Sequence, residues 1–133
     1  MGEGIELARA MAADLETFLR GEVDPRGFSH SEHVRMGFEV LRRYDFAQAA
    51  FQYSHALRTM TQRLGKPEVF HQTVTIAFLA LIGERLHARA YPDFDAFAAV
   101  NPDLMSPSAL TQWYSPQRLA SAAARATFLL PDR

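Results

Sequence analysis

The sequence predicts an all-α fold: a single-domain bundle of four main helices followed by a short helical tail. Three observations carry that reading. Apolar residues recur at three- and four-residue spacing from Ile5 to Leu64, the period of one helix face. Ser, Asp, Pro and Gly stand where such faces begin and end. A length of 133 residues, 48% of them hydrophobic, suits one compact core and leaves too little for a second.

Ile5, Ala8, Met11, Ala12, Leu15, Phe18 and Leu19 mark one face of a first helix over residues 4–20, which Gly21 ends. GEVDPRG then turns the chain toward Phe28, so residues 1–27 read as an N-terminal helix and its connection. Ser29 and Glu32 fit the S-x-x-E capping box and start the second helix at His30. Val34, Phe38, Leu41 and Tyr44 continue its apolar face. Asp45 caps a third helix, which runs through Phe46, Ala49, Ala50, Tyr53, Ala56, Leu57, Met60 and Leu64 at the helical period and closes at Gly65.

Pro67 suits the first turn of a fourth helix, where its missing N–H would have no partner anyway. The residues that follow, EVFHQTVTIAFLALIGERLHARA, are apolar on most sides, which places this helix at the centre. Its β-branched run at Val74, Thr75 and Ile76 does not make it a strand, because ordinary strands are roughly 3–10 residues long. These helices make up a core segment over 28–90. Beyond Tyr91-Pro92, residues 91–133 hold short apolar groups separated by Asn-Pro and Ser-Pro, read as short helices and ordered turns. Ser115-Pro116 is an N-cap with proline at the first helical position.

Charge and composition narrow the function. The 14 Lys and Arg against 15 Asp and Glu give a net charge of −1, which argues against nucleic acid as a partner. The absence of cysteine excludes disulfides, thiolate zinc sites, iron–sulfur clusters and a cysteine nucleophile, so a metal site must use His, Asp or Glu. MGEGIELARAMAADLETFLRG carries acids early and no long apolar run, so neither a signal peptide nor a membrane span is expected, and cytoplasmic residence follows. There is no glycine-rich phosphate loop and no Gly-x-Ser-x-Gly elbow.

The histidines are the best functional clue, being the side chains that titrate near neutral pH. His55 falls on the solvent side of the third helix, and His87 sits in the last turn of the fourth beside Arg85 and Arg89, where the helix dipole favours a cation. His30 and His33 differ, since i, i+3 spacing sets their rings one turn apart on one helix face. The positive helix end there keeps imidazole neutral, the form that binds metal. Gly37, one turn on, makes room for a close neighbour or a ligand. His71 is expected in the second turn of the fourth helix, in a polar stripe with Glu68 and Thr75. Two successive reversals bring the second and fourth helices roughly parallel, so His71 can join His30 and His33 in a three-nitrogen site with an open position for zinc, iron, copper or manganese. Glu68 or Asp103 is then a candidate fourth ligand or base, and Trp113 and Tyr114 can line a ligand pocket or belong to the core. A plainer reading stands beside this one. Phe28 can pack on His33 as a hydrophobic staple, His30 can be exposed, and His71 can bond a backbone carbonyl.

The segments FSHSEHVRMGFEVLRR, VFHQTVTIAFLALIGERL, AAVNPDLM and WYSPQRLASAAARATFLLPD resemble a family of small uncharacterised bacterial all-helical proteins. The shared features are a His-x-x-His-Val opening, an aromatic-His-x-Thr helix and a Ser-Pro tail, across about residues 28–132. The resemblance implies functional roles for His30, His33, His71 and Thr75, with Trp113, Tyr114 and Arg118 beside them. The His30–His33 segment is also similar to the start of HD-type metal phosphohydrolases. The His-Asp dipeptide of that family is absent, because Gln72 follows His71. The expected function is thus a divalent-metal-dependent reaction on a small molecule, with a helical module binding a ligand or protein partner as the alternative. A homodimer through the apolar tail is compatible with both.

Overall fold

The computed structural model describes residues 14–133. Residues 14–19 are helical (α1), while the earlier part of the first expected helix, with Ile5, Ala8, Met11 and Ala12, lies outside the described residues. Three long helices follow: α2 (His30–Arg43), α3 (Phe46–Arg63) and α4 (Gln72–Ala88). The tail holds α5 (Phe94–Val100), 3-10 turns at Pro102–Met105 and Pro107–Gln112, and two short helices, α6 (Pro116–Leu119) and α7 (Ala122–Ala126). No strand occurs among the described residues, so the fold is all-α. None of their helices is long and apolar enough to cross a membrane.

The boundaries follow from local chemistry. At the end of α1, Gly21 N–H bonds Phe18 O and Glu22 N–H bonds Thr17 O, a paired closure that needs a left-handed residue. Gly21 supplies it with φ of 70°, and a Cβ there would also stand 2.5 Å from Thr59 Cγ2 of α3. Ser29 and Asp45 cap α2 and α3 by accepting the Glu32 and Gln48 amides. Only half of the expected capping box forms, since the Glu32 carboxylate turns outward to Arg35 at 2.6 Å. Ser115 caps α6 ahead of Pro116, as its sequence predicts.

α4 is the central rod. Its buried residues include Phe78, Leu81 and Ile82, which pack with Phe38, Phe94, Phe97 and Leu104 toward the tail. Leu79 faces the other way, into a cluster with Phe18, Met36, Tyr53 and Met60. Gly37 lets α2 close on this rod, for a Cβ there would lie 3.0 Å from Ile82 Cδ1 and 3.4 Å from Leu79 Cδ1. The room it makes is therefore for a neighbouring helix.

Candidate functional site

The approach to α4 sets the geometry of the site. Pro67 does open a helical turn, but it is a three-residue 3-10 turn, Pro67–Val69, that does not run on into α4. Phe70 and His71 are both extended, so His71 stands at the N-cap of a helix begun at Gln72, and not in the second turn of one begun at Pro67. Its Nδ1 accepts the Val74 amide at 3.1 Å, a task more often given to a Ser or Asp oxygen. Its Nε2–H donates to Leu119 O at 2.7 Å. Both ring nitrogens are thereby engaged, with the proton on Nε2.

His30 and His33 open α2. His30 Nε2–H donates to Leu104 O at 2.9 Å, and its ring meets Phe78 edge-on with centroids 5.0 Å apart. His33 Nδ1–H donates to Ser29 O at 2.9 Å, and its ring packs on Phe28 at 4.5 Å, the staple arrangement. Burial lowers the pKa of His33, the bond to the Ser29 carbonyl partly offsets this, and charge on His30 lowers it further. At neutral pH His33 is an uncharged ring with its proton on Nδ1 and a lone pair on Nε2.

All three rings line one cavity of about 300 Å³ between α2, α3 and the start of α4. Tyr53, Leu57 and Thr61 repeat every four residues along α3 to form its far wall, while Phe70, Val74 and Phe78 close it beside His71. Arg58 covers Phe70 with its guanidinium 4.8 Å from the ring centre. Thr75 also lines the cavity, and its hydroxyl makes no hydrogen bond to another described residue. Tyr53 O–H donates to His33 O at 2.8 Å, fixing α3 to α2 at this level.

Other expected site residues lie elsewhere. Glu68 is exposed on the 3-10 turn, outside the cavity and off α4, so the stripe it was to share with His71 and Thr75 does not form. Among the described residues its backbone carbonyl accepts from Arg125 at 3.1 Å and its carboxylate makes no hydrogen bond. Asp103 pairs with Arg85 at 2.8 Å, and that guanidinium holds its carboxyl below the usual range. Tyr114 is buried, donates to Leu129 O at 2.8 Å, and lines a separate cavity with Trp113 beneath the tail. His55 is exposed and stacks on Phe51, and His87 is exposed. An ion held by all three cavity histidines would have to take a His71 nitrogen from Val74 or Leu119. Among the described residues no group of three His, Asp or Glu side chains is placed to hold a metal.

Sequence reasoning passed over the α3 wall and Phe78. The four-residue repeat of Tyr53, Leu57 and Thr61 was the available signal, while the carbonyl partners Leu104 and Leu119 left none. No family model, curated protein or solved structure matches this chain.

Proposed function

We propose that this protein is a helical binding domain for a small molecule, with the histidine-lined cavity as its site. One observation carries the reading: an apolar space of about 300 Å³ on which three imidazoles from two separate segments converge. Ligand pockets commonly run from about 300 to 1,000 Å³ and combine apolar walls with a few placed polar groups. His71 acts here as a positioning residue, because its nitrogens join the first turn of α4 to the tail.

A panel of one-ring compounds, followed by amide chemical shifts, tests the reading. Binding is expected to move the amides of Val74, Thr75 and the first turn of α2, and to disappear in Thr61→Trp, which fills the half-buried rim from α3. A panel that moves none of these amides, or moves them equally in Thr61→Trp, overturns it.

A divalent-metal enzyme is the second reading, supported by the nitrogens of His30 and His33 that make no hydrogen bond to another described residue. Under it, stoichiometric zinc raises the melting temperature of the parent and not of His33→Ala. Under the ligand-binding reading, zinc leaves both unchanged.

A further inference from the structure

The polar complement of the cavity is one-sided. His71 offers nothing to a ligand, because one nitrogen accepts from Val74 and the other donates to Leu119. His33 spends its only proton on Ser29 O, leaving Nε2 as an acceptor. His30 spends its Nε2 proton on Leu104 O, and its Nδ1 makes no hydrogen bond to another described residue. Thr75 adds one hydroxyl, which can accept or donate. No Asp, Glu, Lys or Arg among the described residues lines the space. The wall therefore presents imidazole acceptors, a few hydroxyls and no Asp, Glu, Lys or Arg, and a guest that matches the imidazoles brings a donor and no charge. A carboxylate would bury its charge opposite lone pairs, and an ammonium would find no counter-ion, both costly in an apolar setting.

Size sets the second limit. A cavity of about 150 Å³ lined by apolar residues holds one benzene, so about 300 Å³ admits a ring with a substituent. Phe70, Phe78 and Tyr53 supply aromatic walls suited to a flat guest. Resting on the binding reading above, we infer that the ligand is an uncharged aromatic molecule bearing a hydroxyl, a substituted phenol in class, whose O–H donates to a cavity imidazole.

Three para-substituted ethylbenzenes separate the possibilities: para-ethylphenol, para-ethyltoluene, in which a methyl of similar size replaces the hydroxyl, and the para-ethylbenzoate anion, which is larger and carries a charge. The same amide shifts give their dissociation constants at neutral pH. The phenol is expected to bind about fivefold more tightly than the toluene, within the range one net hydrogen bond supports, and at least about tenfold more tightly than the benzoate. In His33→Leu the phenol is expected to lose its advantage while the toluene still binds. Thr75→Val, which keeps the cavity shape, gives an independent reading if His33→Leu does not fold: the phenol preference is expected to persist there, and its loss would put the acceptor on Thr75 and overturn the imidazole assignment. Equal binding of phenol and toluene, or tightest binding by the benzoate, overturns the ligand class and leaves the cavity as a site. Failure of all three to bind, together with a silent compound panel, overturns the binding reading itself.

Discussion

Along α4, residues 71–75 and residues 77–82 are held by different forces. The first group is fastened by directed bonds. His71 reaches Leu119 O, while Thr73, fully buried, donates to Thr127 O at 2.9 Å and accepts the Leu129 amide at 3.0 Å. The second group is fastened by apolar contact alone, with Leu79 and Ile82 pressed against the bare backbone of Gly37. Polar fastening costs desolvation and gives modest net stability, but it fixes orientation, whereas apolar burial gives stability with little regard to orientation. The cavity lies at the polar end, where rings and hydroxyls need fixed directions.

Three changes test this division. Leu79→Ala, a truncation at a fully buried position, is expected to destabilise by about 3 kcal/mol in urea unfolding, with the amides around His71 unshifted. Thr73→Val is expected to cost less, about 2 kcal/mol, by stranding the Thr127 carbonyl and the Leu129 amide. Its largest effect should be local, seen as a greater rise in hydrogen exchange at Leu129 than in α2 and α3. If Thr73→Val instead loosened the whole molecule as much as Leu79→Ala, the two ends of α4 would not be separable. The smallest effect concerns His33. Its folded pKa lies below the unfolded value of about 6.5, so the unfolded chain binds the proton more readily. The contribution is complete above that unfolded value and declines as pH falls through it toward the folded one. Urea midpoints between pH 7 and pH 5 should therefore fall more steeply in the parent than in His33→Gln, and parallel slopes would remove the burial argument.

The long apolar period of α2 and α3 and their caps at Ser29 and Asp45 were legible in sequence because each depends on neighbours within one turn. The start of α4 was not. Pro67 is compatible with a helix start, and the sequence offers no local reason for the chain to extend again at Phe70 and His71. That reason is tertiary: the ring of His71 finds both the Val74 amide and a carbonyl 48 residues away. The same displacement removed Glu68 from the site, while His30, His33, His71 and Thr75 still meet at one cavity. Gly37 was recognisable as a place of close approach, but which neighbour came close depended on packing.

The bonds from α4 to the tail also bear on the order of folding. The His71–Leu119, Thr73–Thr127 and Thr73–Leu129 links join residues 48, 54 and 56 positions apart, whereas the α2–α3 hairpin closes over a single connecting turn. Closing long loops costs chain entropy before any contact repays it, so the hairpin and α4 are expected to assemble first and the tail to dock after the rate-limiting barrier. The loss in Thr73→Val would then appear in the unfolding rate, with refolding nearly unchanged. The tail thus acts as a late latch, one that sets how long the assembled cavity lasts more than how quickly it forms.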